Sequence, residues 1–82
     1  MYKNKARDGR NNICGRKVRE FRLGMPEKTS QRKFADLLQL AGLDLDKNAV
    51  QRIENGQRFV TDIELKMIAQ VLGVSYEALL DD

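Results

Sequence analysis

Apolar residues along this chain recur at intervals of three and four, and its β-branched residues never form an alternating run, a pattern that predicts helices and no strands. The first helix is expected from about Ile13 to Leu23, with Ile13, Val18 and Phe21 on one side, and Gly24, Met25 and Pro26 stop it. Ser30 is placed to cap a second helix, whose hydroxyl can accept from a free N–H of the first turn. Phe34, Leu37, Leu38 and Ala41 follow the helical stripe along it, and Gly42 ends it. Asp46 can cap a third helix with few apolar positions, Ala49, Val50 and Ile53, which Asn55-Gly56 closes. Thr61 with Glu64 forms a T-x-x-E capping box for a fourth, carrying Ile63, Met67, Ile68, Val71 and Leu72 as far as Gly73. Ser75 opens a last turn or two with Tyr76, Leu79 and Leu80. The reading is all-α, five short helices over residues 13–82, preceded by a basic and flexible arm at 1–12 that has almost nothing to bury.

The third helix departs from the others. Apart from its narrow apolar stripe it carries long polar or charged side chains: Lys47, Asn48, Gln51 and Arg52. Val50 and Ile53 would pin such a helix to the domain while the rest points outward. Amide and cationic side chains of this length suit base edges in the major groove, Arg or Lys to guanine and Asn or Gln to adenine. The charge distribution agrees. Residues 1–33 hold eleven Lys or Arg against three acids, a local charge of +8, whereas residues 34–82 hold four against nine, or −5. A half this basic attracts a polyanion.

Composition narrows the function further. At 82 residues the chain accommodates one domain and no deep substrate cavity. It has no histidine and one cysteine, Cys14, which excludes an internal disulfide and a zinc site of the usual Cys/His kind. The commonest general base and the histidine-activated nucleophiles are therefore missing, and the acid pair Asp44/Asp46 sits at a helix start, where it reads as capping. No catalytic residue, metal or cofactor is expected. With one cysteine and no apolar run long enough for a membrane span, the expected setting is cytoplasmic.

GRKVREFR at 15–22, SQRKFADLL at 30–38, VQRIENGQR at 50–58 and TDIELKMIAQVLGVSYEALL at 61–80 together resemble the helix-turn-helix family of phage repressor and Cro-like regulators, often called the XRE family. The combination of I-E-N-G at a helix end with S-Q-x-x-F-A upstream carries the specificity of the match. The resemblance implies a lambda repressor-like domain, bacterial or phage-encoded. It implies base reading by Lys47, Asn48, Gln51 and Arg52, backbone contacts by Gln31, Arg32, Asn55 and Arg58, and a partly buried structural ion pair between Arg22 and Glu54. Two departures are evident: Ala35 to Val50 is about five residues longer than the family's compact turn, so an extended connection between the second and third helices is expected, and the loop between the first helix and Ser30, with Glu27 and Lys28 in it, is about one or two residues longer.

The function implied is a sequence-specific regulator of transcription, a repressor by family habit, bound to double-stranded DNA. One short helix reads too few base pairs for useful specificity, so a homodimer on half-sites about 34 Å apart is expected. On DNA the tail cations Lys3, Lys5, Arg7 and Arg10 can follow the backbone or enter the minor groove. The competing reading is a protein-interaction module of the same fold, such as a bridging coactivator or antitoxin, using Tyr76, Leu79 and Leu80 for a protein partner.

Overall fold

The computed structural model describes residues 9–81, which form α1 (Gly15–Leu23), α2 (Gln31–Leu40), α3 (Lys47–Glu54), α4 (Asp62–Leu72) and α5 (Tyr76–Leu80), with no strand among them. The arm cations Lys3, Lys5 and Arg7 lie outside the described residues. α1 packs on α3, α4 and α5, while α2 bridges α3 and α4. No helix among the described residues is long and apolar enough to cross a membrane.

Local chemistry sets the helix starts. Ser30 accepts from the Lys33 N–H at 3.0 Å, Asp46 from Ala49 at 2.8 Å and Ser75 from Ala78 at 3.1 Å. Thr61 accepts from the Glu64 N–H at 3.2 Å while the Glu64 carboxylate accepts from the Thr61 N–H at 3.0 Å, completing the capping box. Each bond satisfies a backbone donor that the first helical turn leaves open.

The core centres on Val18, Phe34, Leu38, Val50, Ile53, Ile68 and Leu79, all at most 1% exposed. Cys14 joins it, and burial pushes its thiol pKa up against a backbone hydrogen bond and the nearby Arg10 charge, which both lower it. Such a thiol is packing material rather than a nucleophile.

Several expectations are corrected. α1 begins at Gly15 and not Ile13, because the Asn12 side chain takes up the Gly15 N–H at 2.8 Å; Ile13 is exposed. Ala41 lies beyond the last turn of α2, its N–H bonded to Leu37 and Leu38 carbonyls, and faces solvent. On α4, Ile63 is 70% exposed. The stripe that faces the core runs through Leu65, Ile68, Ala69 and Leu72, and Ile63, two residues before Leu65, points about 200° away from it. Residues 10–12 are not a free tail either. The Asn11 N–H donates to the Gly56 carbonyl at 2.7 Å and its side chain to that of Gln57 at 2.9 Å.

The connection between α2 and α3, residues 41–46, is tied down rather than loose. Gly42 turns the chain at φ +104°, a conformation open to glycine and costly to other residues. The Leu43 N–H then returns to the Leu38 carbonyl at 2.9 Å, Leu45 is buried, and the Gln39 amide donates to the Leu45 carbonyl at 3.0 Å. The start of α3 is thereby fixed to the end of α2.

Candidate nucleic-acid interface

α3 has two sides that differ in every respect. Val50, Ile53 and Glu54, at spacings of three and four, are buried. Lys47, Asn48, Gln51 and Arg52 are all exposed, and none has a side-chain hydrogen bond or ion pair among the described residues. Asp46 caps the leading end. At the trailing end Gly56 takes φ +78° and bonds back to the Ile53 carbonyl at 3.0 Å. The face is therefore a fixed rod, about 12 Å long, whose outer donors and acceptors are unclaimed.

A buried charge network holds that rod from behind. Arg22 of α1 donates to both oxygens of Glu54, Nε to Oε2 at 2.7 Å and Nη2 to Oε1 at 2.9 Å. Its third donor, Nη1, reaches the Thr29 carbonyl at 2.9 Å. Gln31, the first residue of α2, adds an Nε2–H bond to Glu54 Oε1 at 3.0 Å. One carboxylate thus joins the ends of three helices, and planar two-point pairing fixes orientation as well as distance.

Backbone contact reinforces the junction. A Cβ built on Gly15 would collide with the Ile53 carbonyl oxygen, so only glycine lets α1 approach the end of α3 this closely. The Asn12 amide then donates to the Ile53 carbonyl at 3.1 Å and to the Arg58 carbonyl at 2.7 Å. Nothing in the spacing of polar and apolar residues marks this clasp; Asn11-Asn12 directly before a glycine-led helix is its one visible trace.

Of the residues assigned to backbone contact, Arg32 and Asn55 are exposed, with no side-chain partner among the described residues, and Gln31 is half-buried against Glu54. Arg58 differs from the other three. Its guanidinium pairs with Glu64 through two bonds of 2.9 Å, so its charge is already matched inside the fold. Burial alone would raise the Glu64 carboxyl pKa. Hydrogen bonds from Arg58 and the Thr61 N–H, with the Arg58 charge, outweigh burial and hold it below the ordinary value. That hydrogen bond in turn raises the Arg58 pKa.

A second surface is apolar. Ile63, Tyr76 and Leu80 are exposed around a dent of about 440 Å³ also lined by Asp62, Leu65 and Lys66. Leu79, grouped with Tyr76 and Leu80 in the sequence reading, is fully buried and unavailable to any partner. It follows Tyr76 by three positions but turns inward, into the core where α5 packs on α1 and α4. Among the described residues no group of His, Cys, Asp and Glu could hold a metal ion.

Residues 18–79 match the helix-turn-helix family model. Curated proteins returned no match. Among solved structures, the chain is similar to the restriction-modification controller protein C.AhdI from Aeromonas hydrophila, at 31% identity and a TM-score of 0.64, covering 79% of this chain and 84% of that one.

Proposed function

The chain belongs to the helix-turn-helix family of DNA-binding transcriptional regulators, and from that premise we propose that it is a sequence-specific DNA-binding protein that represses by occupying its operator. The observation that carries the reading is the outer face of α3, where Lys47, Asn48, Gln51 and Arg52 stand exposed and unpartnered on a helix locked from behind. Arg52 and Lys47 match guanine O6 and N7, while Asn48 and Gln51 match adenine N6 and N7. Arg32, Asn55 and Gln31 hold phosphates beside the groove. Arg58 plays a lesser part, because Glu64 competes for its donors.

A rod about 12 Å long spans roughly four base pairs at about 3.4 Å each, too few to single out a site. The working unit is therefore a homodimer. The Ile63–Tyr76–Leu80 surface suits a two-fold contact, since Asp62 and Lys66 place opposite charges on one patch and an isologous interface sets each against its mate. C.AhdI, described as a restriction-modification controller protein, illustrates the class of regulatory task. The same apolar surface, with the acidic balance of residues 34–82, favours the protein-interaction reading.

Selection of sites from a random DNA pool by the purified protein tests the proposal. The expected product is a two-fold symmetric site with half-site centres about 10 base pairs apart. Pools that stay random after repeated rounds, with no binding even at low salt, would remove DNA reading in favour of a protein partner.

A further inference from the structure

Residues 10–12, shortly before α1, form a strap across the turn that follows α3. The Asn11 N–H donates to the Gly56 carbonyl at 2.7 Å and its side-chain amide to the Gln57 carbonyl at 2.9 Å. The Asn12 amide donates to the Arg58 carbonyl at 2.7 Å as well as to that of Ile53. The same peptide units turn back on α3, because the Gln57 N–H donates to the Arg52 carbonyl at 2.8 Å and the Arg58 N–H to the same oxygen at 3.3 Å. We propose that Asn12, assisted by Asn11, governs which base Arg52 selects, acting through the peptides of Gln57 and Arg58 on the backbone of Arg52. The inference rests on the base reading proposed for α3. It adds two positioning residues whose amides face protein carbonyls rather than DNA.

The two ends of α3 are held differently. The leading end is fixed through α2, where the Gln39 amide holds the Leu45 carbonyl and Asp46 caps the first turn. The trailing end is gripped on its buried side by Arg22 and Gln31 at Glu54. Its last carbonyls are groups that a helix end leaves open, and here they are taken up by the strap and by the turn the strap holds. The Asn12 side chain is fixed in orientation, with Nδ2 spent on the carbonyls of 53 and 58 and Oδ1 accepting from the Gly15 N–H at 2.8 Å. The Arg10 stem closes over Gly56 so tightly that a Cβ there would collide with it, which keeps the left-handed turn at φ +78° in place.

This chain of bonds ends on a residue sensitive to small shifts. A guanidinium reads guanine through two parallel hydrogen bonds, and planar pairing of that kind tolerates little tilt. Movement of the Arg52 backbone is therefore felt as lost discrimination at one base pair. Lys47 and Asn48 stand at the end fixed through α2 and do not depend on the strap.

The test is competition binding of the selected site against sites changed at one base pair. It compares wild type, Arg52→Ala, Asn12→Asp, Asn11→Ala and the double variant Asn12→Asp/Arg52→Ala. Arg52→Ala identifies the base pair that Arg52 reads, with an expected loss of about 5- to 150-fold in discrimination there. Asn12→Asp keeps the side chain's size and its acceptor for the Gly15 N–H, but turns a carboxylate oxygen toward two carbonyls. It should reproduce most of that loss at the same base pair and leave those read from the leading end unchanged. The double variant should lose no more there than Arg52→Ala alone, since a positioning residue then has nothing to position.

Asn11→Ala removes one strap bond together with a buried side-chain oxygen that has no donor among the described residues. It should fold like wild type and shift the same base pair by less, and it decides the matter if Asn12→Asp does not fold. Ser75→Ala, which uncaps α5, is the control for stability and should melt lower with every preference intact. Equal loss at all base pairs in Asn12→Asp, or losses that add in the double variant, overturns the assignment. Wild-type discrimination in either strap variant removes that residue from it. Wild-type discrimination throughout in Arg52→Ala would instead defeat the base-reading premise itself.

Discussion

Replacing Glu54 by alanine removes one residue and disturbs three helices. In the folded protein the Arg22 and Glu54 side chains are 8% and 1% exposed, so the Arg22 charge cannot recover water when its partner leaves. Two of its three hydrogen bonds go with the carboxylate, leaving the Thr29 carbonyl as acceptor, and Gln31 loses its bond as well. Breaking a buried pair from one side costs about 3–5 kcal/mol, mostly the penalty of stranding a charge. A domain of this size has about 5–15 kcal/mol in total, and each kcal/mol shifts its melting temperature by about 4–8 °C. Glu54→Ala should therefore melt at least about 12 °C below wild type, followed by far-ultraviolet circular dichroism. The double variant Arg22→Met/Glu54→Leu should recover most of the loss, since two apolar side chains leave no orphaned charge. If Glu54→Ala melts with the exposed control Asp81→Ala, the network carries no weight in the fold and the account of what holds α3 is wrong.

Gly15→Ala should destabilise by about 1–3 kcal/mol in a urea titration, because the new methyl meets the Ile53 carbonyl oxygen and α1 must retreat from α3. The Glu64 carboxyl has its pKa lowered in the fold, so its contribution is fully present above the unfolded value and fades as pH falls through the folded one. Wild type should accordingly lose more stability than Glu64→Gln on acidification below about pH 4.5, and parallel curves would remove Arg58–Glu64 as the source. Tyr76→Asp and Leu80→Asp should shift the protein from dimer to monomer in sedimentation equilibrium without loss of helicity, whereas an unchanged mass would take the dimer contact elsewhere.

How much of this could be read from the chain follows from the range of each interaction. Ser30, Asp46, Thr61 with Glu64, and Ser75 start their helices through bonds spanning three residues, so their role is written locally. The outward face of α3 is legible for the same reason, since four polar side chains leave only Ala49, Val50 and Ile53 as apolar positions to pack. The failures are long-range. Ile63 and Leu65 are both apolar on α4, and which one faces the core depends on where α2 and α5 lie. Asn11 and Asn12 look like tail residues until the chain brings the carbonyls of 53, 56, 57 and 58 back to them. Arg58 reads as a free cation because its partner is reached only after the turn at Thr61. Leu45 lies in a connection that composition marks as loop, yet the Gln39 amide and the core draw it in.

Whether the exposed side of α3 reads bases is measured most directly by site selection repeated with Gln51→Ala and Arg52→Ala. Each variant should keep the wild-type melting temperature and lose about 1–3 kcal/mol of discrimination at one position in each half-site, the remaining positions being unchanged. Selected sequences identical to those of wild type for both variants would mean that α3 does not enter the groove.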